Sequence, residues 1–143
     1  MRKKIVSIIL LLLWASLIFY LSDQPRVVSN KMSSDIIKHT LFVNDVVLKI
    51  IHNPLREAMH AFEYFIFGLL LINVLKQFNI KRIITFTIII AIIFMVSDEI
   101  HQIYVPGRAF EILDLFLDFV GIIIACLLHF NYLSCMQLNK SII

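Results

Sequence analysis

The chain has little charge and little glycine or proline. Asp, Glu, Lys and Arg make up 16% of its 143 residues, and there are three glycines and three prolines. A soluble domain is about 25% charged and about 45–50% apolar, whereas 60% of this chain is hydrophobic. No stretch rich in glycine or proline separates two regions. The composition therefore predicts a single transmembrane domain over residues 1–143 and not a soluble protein.

Cysteine is also scarce. Cys126 lies inside an apolar stretch and Cys135 follows just after it, without the spacing of metal ligands, so no disulfide framework is expected. The net charge of +3 does not predict a nucleic-acid partner. The basic residues stand at the ends of apolar stretches, which is where membrane topology requires them.

Four long apolar stretches predict transmembrane helices. They cover residues 5–21, 58–75, 83–100 and 111–130, and each reaches or approaches the roughly 17–25 residues that cross hydrocarbon. Helices are expected because backbone groups in lipid must pair within the segment. The first stretch is longer than a signal-peptide core and lacks small residues at its end, which predicts an uncleaved anchor. The predicted fold is an all-α membrane protein with a four-helix transmembrane bundle.

Lysine and arginine alternate between the predicted loops. Basic residues occur in three segments: before the first span, in the loop from Lys76 to Arg82, and at Lys140 after the fourth span. The positive-inside rule places all three segments in the cytoplasm. The loop from Ser22 to Glu57 carries basic residues too, partly balanced by acids, which weakens the asymmetry. We predict a multi-pass protein of the bacterial plasma membrane with both termini in the cytoplasm.

The first outer loop is predicted to contain a further helix. Over residues 34–52, Lys38, Asp45, Lys49 and His52 recur at helical spacing, and apolar residues fill much of the remainder. This pattern is typical of an amphipathic helix lying on the outer membrane surface. The alternative is a helix that packs on the bundle as a lid.

Ionisable side chains gather at one end of three spans. They are His60, Glu63, Asp98, Glu99, His101, Glu111, Asp114 and Asp118. A charge at mid-helix costs about 2.5–3.5 kcal/mol, and such residues usually face the bundle interior and mark a functional site. All eight fall at the outer end of their spans, while the inner halves are almost wholly apolar. The pattern predicts one polar site in the outer leaflet.

Helical spacing places these groups on common faces. His60 and Glu63 are neighbours on one helix, and Asp98 has the same relation to His101 or Gln102. The fourth span has a face whose acidic top gives way to small residues, and it reads Glu111, Asp114, Asp118, Gly121 and Ala125. Small residues favour close packing between membrane helices. The acidic face is therefore predicted to point into the bundle.

A tight turn is predicted at Pro106 and Gly107, between the third and fourth spans. It brings Arg108 into the cluster, where the guanidinium can pair bidentately with a carboxylate or with a phosphate from outside. An unpaired arginine would be costly there. Without a ligand, Arg108 is expected to pair with one of four carboxylates, those of Asp98, Glu99, Glu111 and Asp114.

The stretch SDEIHQIYVPGRAFEILDLFLDFVG, from Ser97 to Gly121, resembles the central signature of the VanZ-like family of bacterial integral membrane proteins. The matching elements are Asp98-Glu99, Gln102, Pro106-Gly107-Arg108, Asp114 and Gly121. The segment MHAFEYFIFG is similar to the family's second-helix element, with His60 at the histidine. Two positions depart from the family's pattern, since Asp118 replaces the more usual Asn and Ala125 a frequent glycine.

The resemblance implies a protein of the bacterial cell envelope, and the family's namesake is associated with glycopeptide (teicoplanin) resistance. It implies no biochemical activity, so three hypotheses follow from the residues. In the first, the polar site binds the headgroup of a membrane lipid or a lipid-linked cell-wall precursor. Its predicted binding residues are His60, Glu63, Asp98, Glu99, His101, Gln102, Arg108, Glu111, Asp114 and Asp118.

The second hypothesis is a membrane-embedded enzyme that carries out acid/base or hydrolytic chemistry on an envelope lipid. Its catalytic candidates are Glu63, Asp98, Glu99, His101 and Asp114. No cofactor is predicted, although His60, Glu63 and His101 are weak candidates for holding a divalent metal ion that activates water. In the third hypothesis, the buried charges only fix helix register. Buried ion networks are weak stabilisers, which speaks against it.

Overall fold

Five helices build the fold in the computed structural model, which describes residues 1–42 and 44–141, with side chains except at 41, 45 and 133–141. The helices are α1 (Arg2–Ser22), α2 (Arg26–Leu41), α3 (Asp45–Gln77), α4 (Ile83–Gln102) and α5 (Ile112–Ser141). Four of them, all except α2, contain stretches long and apolar enough to cross a membrane. No strand occurs in the described residues. The predicted all-α fold with four spans is confirmed.

α3 is the central helix and packs most closely on α5. A Cβ atom on Gly121 of α5 would overlap the carbonyl oxygen of Ala61 and lie 2.8 Å from the backbone nitrogen of Phe65. One turn further, Ala125 is fully buried in the core. The predicted small face is therefore confirmed, because only glycine lets the two backbones approach this closely.

The segment predicted as one helix over residues 34–52 is divided between two helices. α2 ends at Leu41, and its C-cap residue Phe42 has a left-handed φ of 51°. Asn44 then caps α3 by accepting a hydrogen bond from the Val47 N–H at 3.0 Å. A side-chain cap of this kind starts a new helix, so the predicted bounds were wrong. Ile37 is buried, since α2 packs against α3.

The helix that contains the second predicted span begins earlier than residue 58, where that span was predicted to start. α3 is continuous from Asp45 to Gln77 and contains Pro54 in its interior. Proline normally breaks a helix, because it lacks an N–H donor and its ring clashes with the preceding turn, which explains the difference. A helix of this length is about 50 Å long, well over the roughly 30 Å of hydrocarbon. Its first turns therefore extend past the apolar stretch and pack against α2.

Candidate functional site

A buried contact joins α1 and α4 where both helices end. The Ser22 hydroxyl donates to Oδ2 of Asp98 at 2.7 Å, and the Gln102 amide donates to the same oxygen at 3.3 Å. All three residues are less than a tenth exposed. The other Asp98 oxygen, Oδ1, is buried without a partner among the described residues. We call this end of the bundle, where α1 and α4 end and α5 begins, the polar end.

The predicted tight turn lies at the polar end. The Arg108 N–H donates to the Val105 carbonyl at 3.1 Å, and Gly107 has a φ of 76°. A type II turn requires such a left-handed residue at its third position and favours proline at its second. The turn directs Arg108 back across the end of α1.

Three neutral oxygens hold the Arg108 guanidinium. Nε donates to the Gln24 carbonyl at 3.0 Å, Nη2 to the Leu21 carbonyl at 3.2 Å, and Nη1 to Oε1 of Gln102 at 3.2 Å. Carbonyl groups at a helix C-terminus carry partial negative charge and favour a cation. Burial lowers the pKa of Arg108, and the nearby Arg56 acts in the same direction.

The expected ion pair of Arg108 was a wrong prediction. The guanidinium forms no salt bridge with any of the four expected carboxylates, those of Asp98, Glu99, Glu111 and Asp114. The reason is that two carbonyl oxygens of α1 and the following corner, together with the Gln102 amide oxygen, accept three of its five N–H groups. The charge of Arg108 is therefore fixed in place without a carboxylate directly beside it.

Glu111 connects α2, α3 and α4. Its Oε1 lies 2.7 Å from Nη1 of Arg26, and its Oε2 lies 4.0 Å from Nη2 of Arg56. Its backbone N–H donates to Oε2 of Glu99 at 2.9 Å. The start of α2 is also held by its backbone, because the Arg26 N–H donates to the Pro106 carbonyl at 3.3 Å.

His60 connects α3 to α5. Its Nε2 lies 3.7 Å from Oδ2 of Asp114 and its Nδ1 lies 3.5 Å from Oδ1 of Asp118. Both carboxylates are buried, and 16% of the His60 side chain is exposed. The two acids of α5 therefore lie against the two ring nitrogens of one imidazole. These contacts connect the first half of α3 to the first turns of α5.

A cavity of about 260 Å³ opens between the end of α1, α2 and the first half of α3. Its polar lining consists of Ser22, Gln24, Ser29, Ser33, Arg56, His60, Glu63 and Arg108. Its apolar lining consists of Leu21, Met32, Ile36, Ile37, Leu55 and Met59. A cavity that joins cationic groups to an aliphatic wall suits an amphiphilic ligand.

The structure brings together part of the predicted site. His60, Glu63 and Arg108 line the cavity. Six of the others lie outside the lining and contact it or one another through the pairs described above, and they are Asp98, Glu99, Gln102, Glu111, Asp114 and Asp118. His101 lies apart, since its Nε2 pairs with Oδ1 of Asp23 at 3.2 Å and its ring packs on Phe19.

The predicted metal candidates do not converge. No group of three or more His, Cys, Asp or Glu side chains in the described part of the chain is arranged to hold a metal ion. His60 and Glu63 line the cavity, whereas His101 faces Asp23 at the surface. These side chains therefore offer binding and proton-transfer groups.

The corner between α1 and α2 was not predicted as part of the site. Ser22, Gln24 and Arg26 all contact predicted site residues. The run SDQPR follows the first apolar stretch directly, at the depth where the acids of the other spans were predicted to lie. Polar residues at a shared depth were a usable signal there. Arg56 carried no such signal, because it stood in a segment predicted to be a loop.

Four helices able to cross a membrane, with a buried polar network at one end, define an integral membrane protein of the helical-bundle class. The family model described as VanZ/LLP1 matches residues 7–133. The chain therefore belongs to the VanZ/LLP1 family, as the resemblance indicated. The matched region runs from α1 into α5 and includes every site residue described above. No curated protein and no solved structure is significantly similar to the chain.

Proposed function

We propose that the cavity at the polar end binds the headgroup of a phosphate-bearing envelope lipid or lipid-linked cell-wall precursor. The observation that carries the proposal is the setting of Arg108. Three neutral oxygens hold its guanidinium, it lines the cavity, and it forms no salt bridge with a carboxylate in the part of the chain that the structure describes. An arginine fixed in this way is prepared for an anion, and its planar fork matches phosphate.

The remaining cationic groups of the lining support an anionic ligand. Arg56 lines the same cavity, and its pairing with Glu111 is long, at 4.0 Å. His60 also lines the cavity, and its two ring nitrogens face Asp114 and Asp118. A phosphate can therefore be approached by two guanidinium groups, whose fork geometry matches phosphate oxygens.

The carboxylate of Glu63 restricts which headgroups could bind in the cavity. Its carboxylate lines the cavity beside His60, and its backbone carbonyl accepts a hydrogen bond from the Trp14 indole at 2.9 Å, which fixes α1 against α3. A carboxylate would repel a bare phosphate. A headgroup that carries hydroxyl or amine donors beside its phosphate would satisfy both groups, and the aliphatic lining would contact its chain.

The test compares Arg108→Lys, Arg108→Ala and wild type for binding of phosphatidylglycerol to the full chain in detergent, measured by native mass spectrometry. Lysine keeps the charge but cannot hold three oxygens and a phosphate at once. Both variants should therefore weaken binding by about ten-fold or more. Arg82→Lys, the same exchange at an exposed residue outside the cavity, should be silent.

The outcome for Arg108→Lys decides the proposal. If it binds lipid as wild type does, bidentate recognition is wrong and a general electrostatic role is the better account. Thermal unfolding of each variant separates lost binding from lost folding. Because the namesake of the family is associated with glycopeptide resistance, Arg108→Lys should also change susceptibility to such antibiotics in cells, with the expression level unchanged.

The enzyme hypothesis remains the second candidate, and one observation favours it. His60 is flanked by two acids and lines the cavity together with Glu63. The Glu63 carboxylate could take a proton from a water that attacks a phosphoester, and pass that proton to the leaving oxygen as the P–O bond breaks. Release of free glycerol phosphate from phosphatidylglycerol by wild type but not by Glu63→Gln, with binding retained, would support this reading over simple binding.

A further inference from the structure

A second cavity lies toward the opposite end of the α3–α5 pair. It measures about 230 Å³, and its polar lining consists of Asn73, Lys76, His129 and Tyr132. Three aliphatic side chains complete the lining, and they are Leu69, Ile72 and Leu128. The volume is several times the roughly 30 Å³ that one water occupies in the liquid. The cavity therefore has room for a phosphate group.

The charge at this end has one sign. All ten acidic residues lie between positions 23 and 118, and none occurs in 1–22, 64–97 or 119–143. The basic residues Arg2 to Lys4, Lys76, Lys81 and Arg82 stand where α1 begins, α3 ends and α4 begins. We call this the basic end. No side-chain carboxylate is close in sequence to these cations, so an anion from outside the chain is their natural partner.

Two polar residues of this cavity, Lys76 and His129, are available to a ligand. Nζ of Lys76 lies 5.4 Å from the centre of the Tyr132 ring, and an exposed cation–π contact of this kind is weak. His129 is only 5% exposed, yet its ring has no hydrogen-bond partner among the described residues. Since His129 lines the cavity, a ligand there would give its ring the partner that the described residues do not supply.

We propose that this cavity is a second binding site, which takes the phosphate of an anionic phospholipid from the leaflet at the basic end. Lys76 leaves the Tyr132 ring to contact the phosphate, and His129 donates an N–H to it. Asn73 is held by its hydrogen bond to Ser7 of α1, at 3.1 Å. The aliphatic lining contacts the lipid's glycerol and upper chain. The inference stands independently of the proposal for the polar end.

The test counts phosphatidylglycerol molecules bound to the full chain in detergent, by native mass spectrometry, in an Arg108→Ala background. That background weakens any site at the polar end. Lys76→Ala should lower the remaining affinity by about five-fold, which is the usual contribution of one lysine to anionic lipid binding. His129→Ala should lower it by between about two-fold and ten-fold. His129→Gln, which keeps an N–H donor, should restore most of that loss.

Lys81→Ala is the matched control, because Lys81 is exposed at the same end but does not line the cavity. An equal loss from Lys81→Ala and Lys76→Ala would overturn the site in favour of diffuse attraction. No loss from Lys76→Ala would overturn it too. Inorganic phosphate added in competition distinguishes the source of the anion. If it displaces the lipid completely, the site takes free phosphate and the lipid assignment is wrong.

Discussion

The two ends of the bundle hold their charges in different ways. At the polar end, acids and cations pair within the chain, as between Arg26 and Glu111 at 2.7 Å and His60 and Asp118 at 3.5 Å. At the basic end, cations rest on aromatic rings, with Lys4 5.0 Å from the centre of Phe78. The first arrangement builds a shaped cavity, and the second leaves positive charge facing outward. The net charge of +3 does not show this difference between the two ends.

The difference also separates two physical tasks. Exposed cations at one end set the orientation of a membrane protein and cost little in stability. Buried acids such as Asp98 and Glu99, which are 3% and 1% exposed, are costly to place in a membrane. Since apolar residues would often pack as well, stability alone does not explain the acidic residues of the polar end.

The largest expected effect is all-or-none and concerns which end faces outward. In a chain lacking both native cysteines, Lys31→Cys in α2 should react with a membrane-impermeant maleimide in intact cells. Lys81→Cys at the basic end should react only after the membrane is permeabilised, because the positive-inside rule retains that end in the cytoplasm. Labelling of Lys81→Cys in intact cells would invert the assignment and place the polar cavity on the inside.

The next largest effect is expected at Gly121, where α5 packs on α3. Gly121→Ala should destabilise the bundle by at least about 3 kcal/mol, since the new Cβ overlaps backbone atoms that cannot move aside, at the upper end of overpacking costs. Gly68→Ala is the matched exchange on the partner helix, where the nearest atom is Cβ of Ala125 at 2.9 Å. It should cost less, about 1–2 kcal/mol. Thermal unfolding in detergent measures both, and equal effects would show that the Gly121 contact is not special.

A smaller effect is expected at Asp118, which departs from the family's more usual Asn. Asp118→Asn keeps the shape and a polar oxygen toward His60, so it should change stability by less than about 1 kcal/mol. Asp118→Ala removes the partner and leaves a void, and should cost about 2–3 kcal/mol. Unfolding of the two variants under the same conditions makes the comparison. If Asn is as damaging as Ala, the negative charge itself is required at the polar end.

Local patterns in the sequence predicted the spans and most of the polar end. Apolar length identified the four spans, and the spacing of Gly121 and Ala125 identified the face that packs on α3. The break at Asn44 and the continuation of α3 through Pro54 were not predicted, because tertiary packing against α2 and a side-chain cap outweighed local breaker signals. The hydrogen-bond partners of Arg108 were not predicted, because they depend on where the end of α1 lies in the folded bundle. The helical spacing of residues in the sequence does not contain that position.

The smallest effect is expected for the ion pair of Arg26 and Glu111. The contact is short, at 2.7 Å, but the side chains are 41% and 31% exposed, so solvent screens much of their attraction. A double-mutant cycle with Arg26→Gln and Glu111→Gln should give a coupling free energy of about 0.2–1 kcal/mol. That coupling should fall as ionic strength rises, because the pair is accessible to counter-ions.

Both single variants should also loosen α2 over the cavity, since Arg26 is the first residue of α2 and its side chain attaches that helix to Glu111. A coupling that is large and insensitive to salt would mean that the membrane buries this pair. The polar end would then lie deeper than the exposed α1–α2 corner indicates.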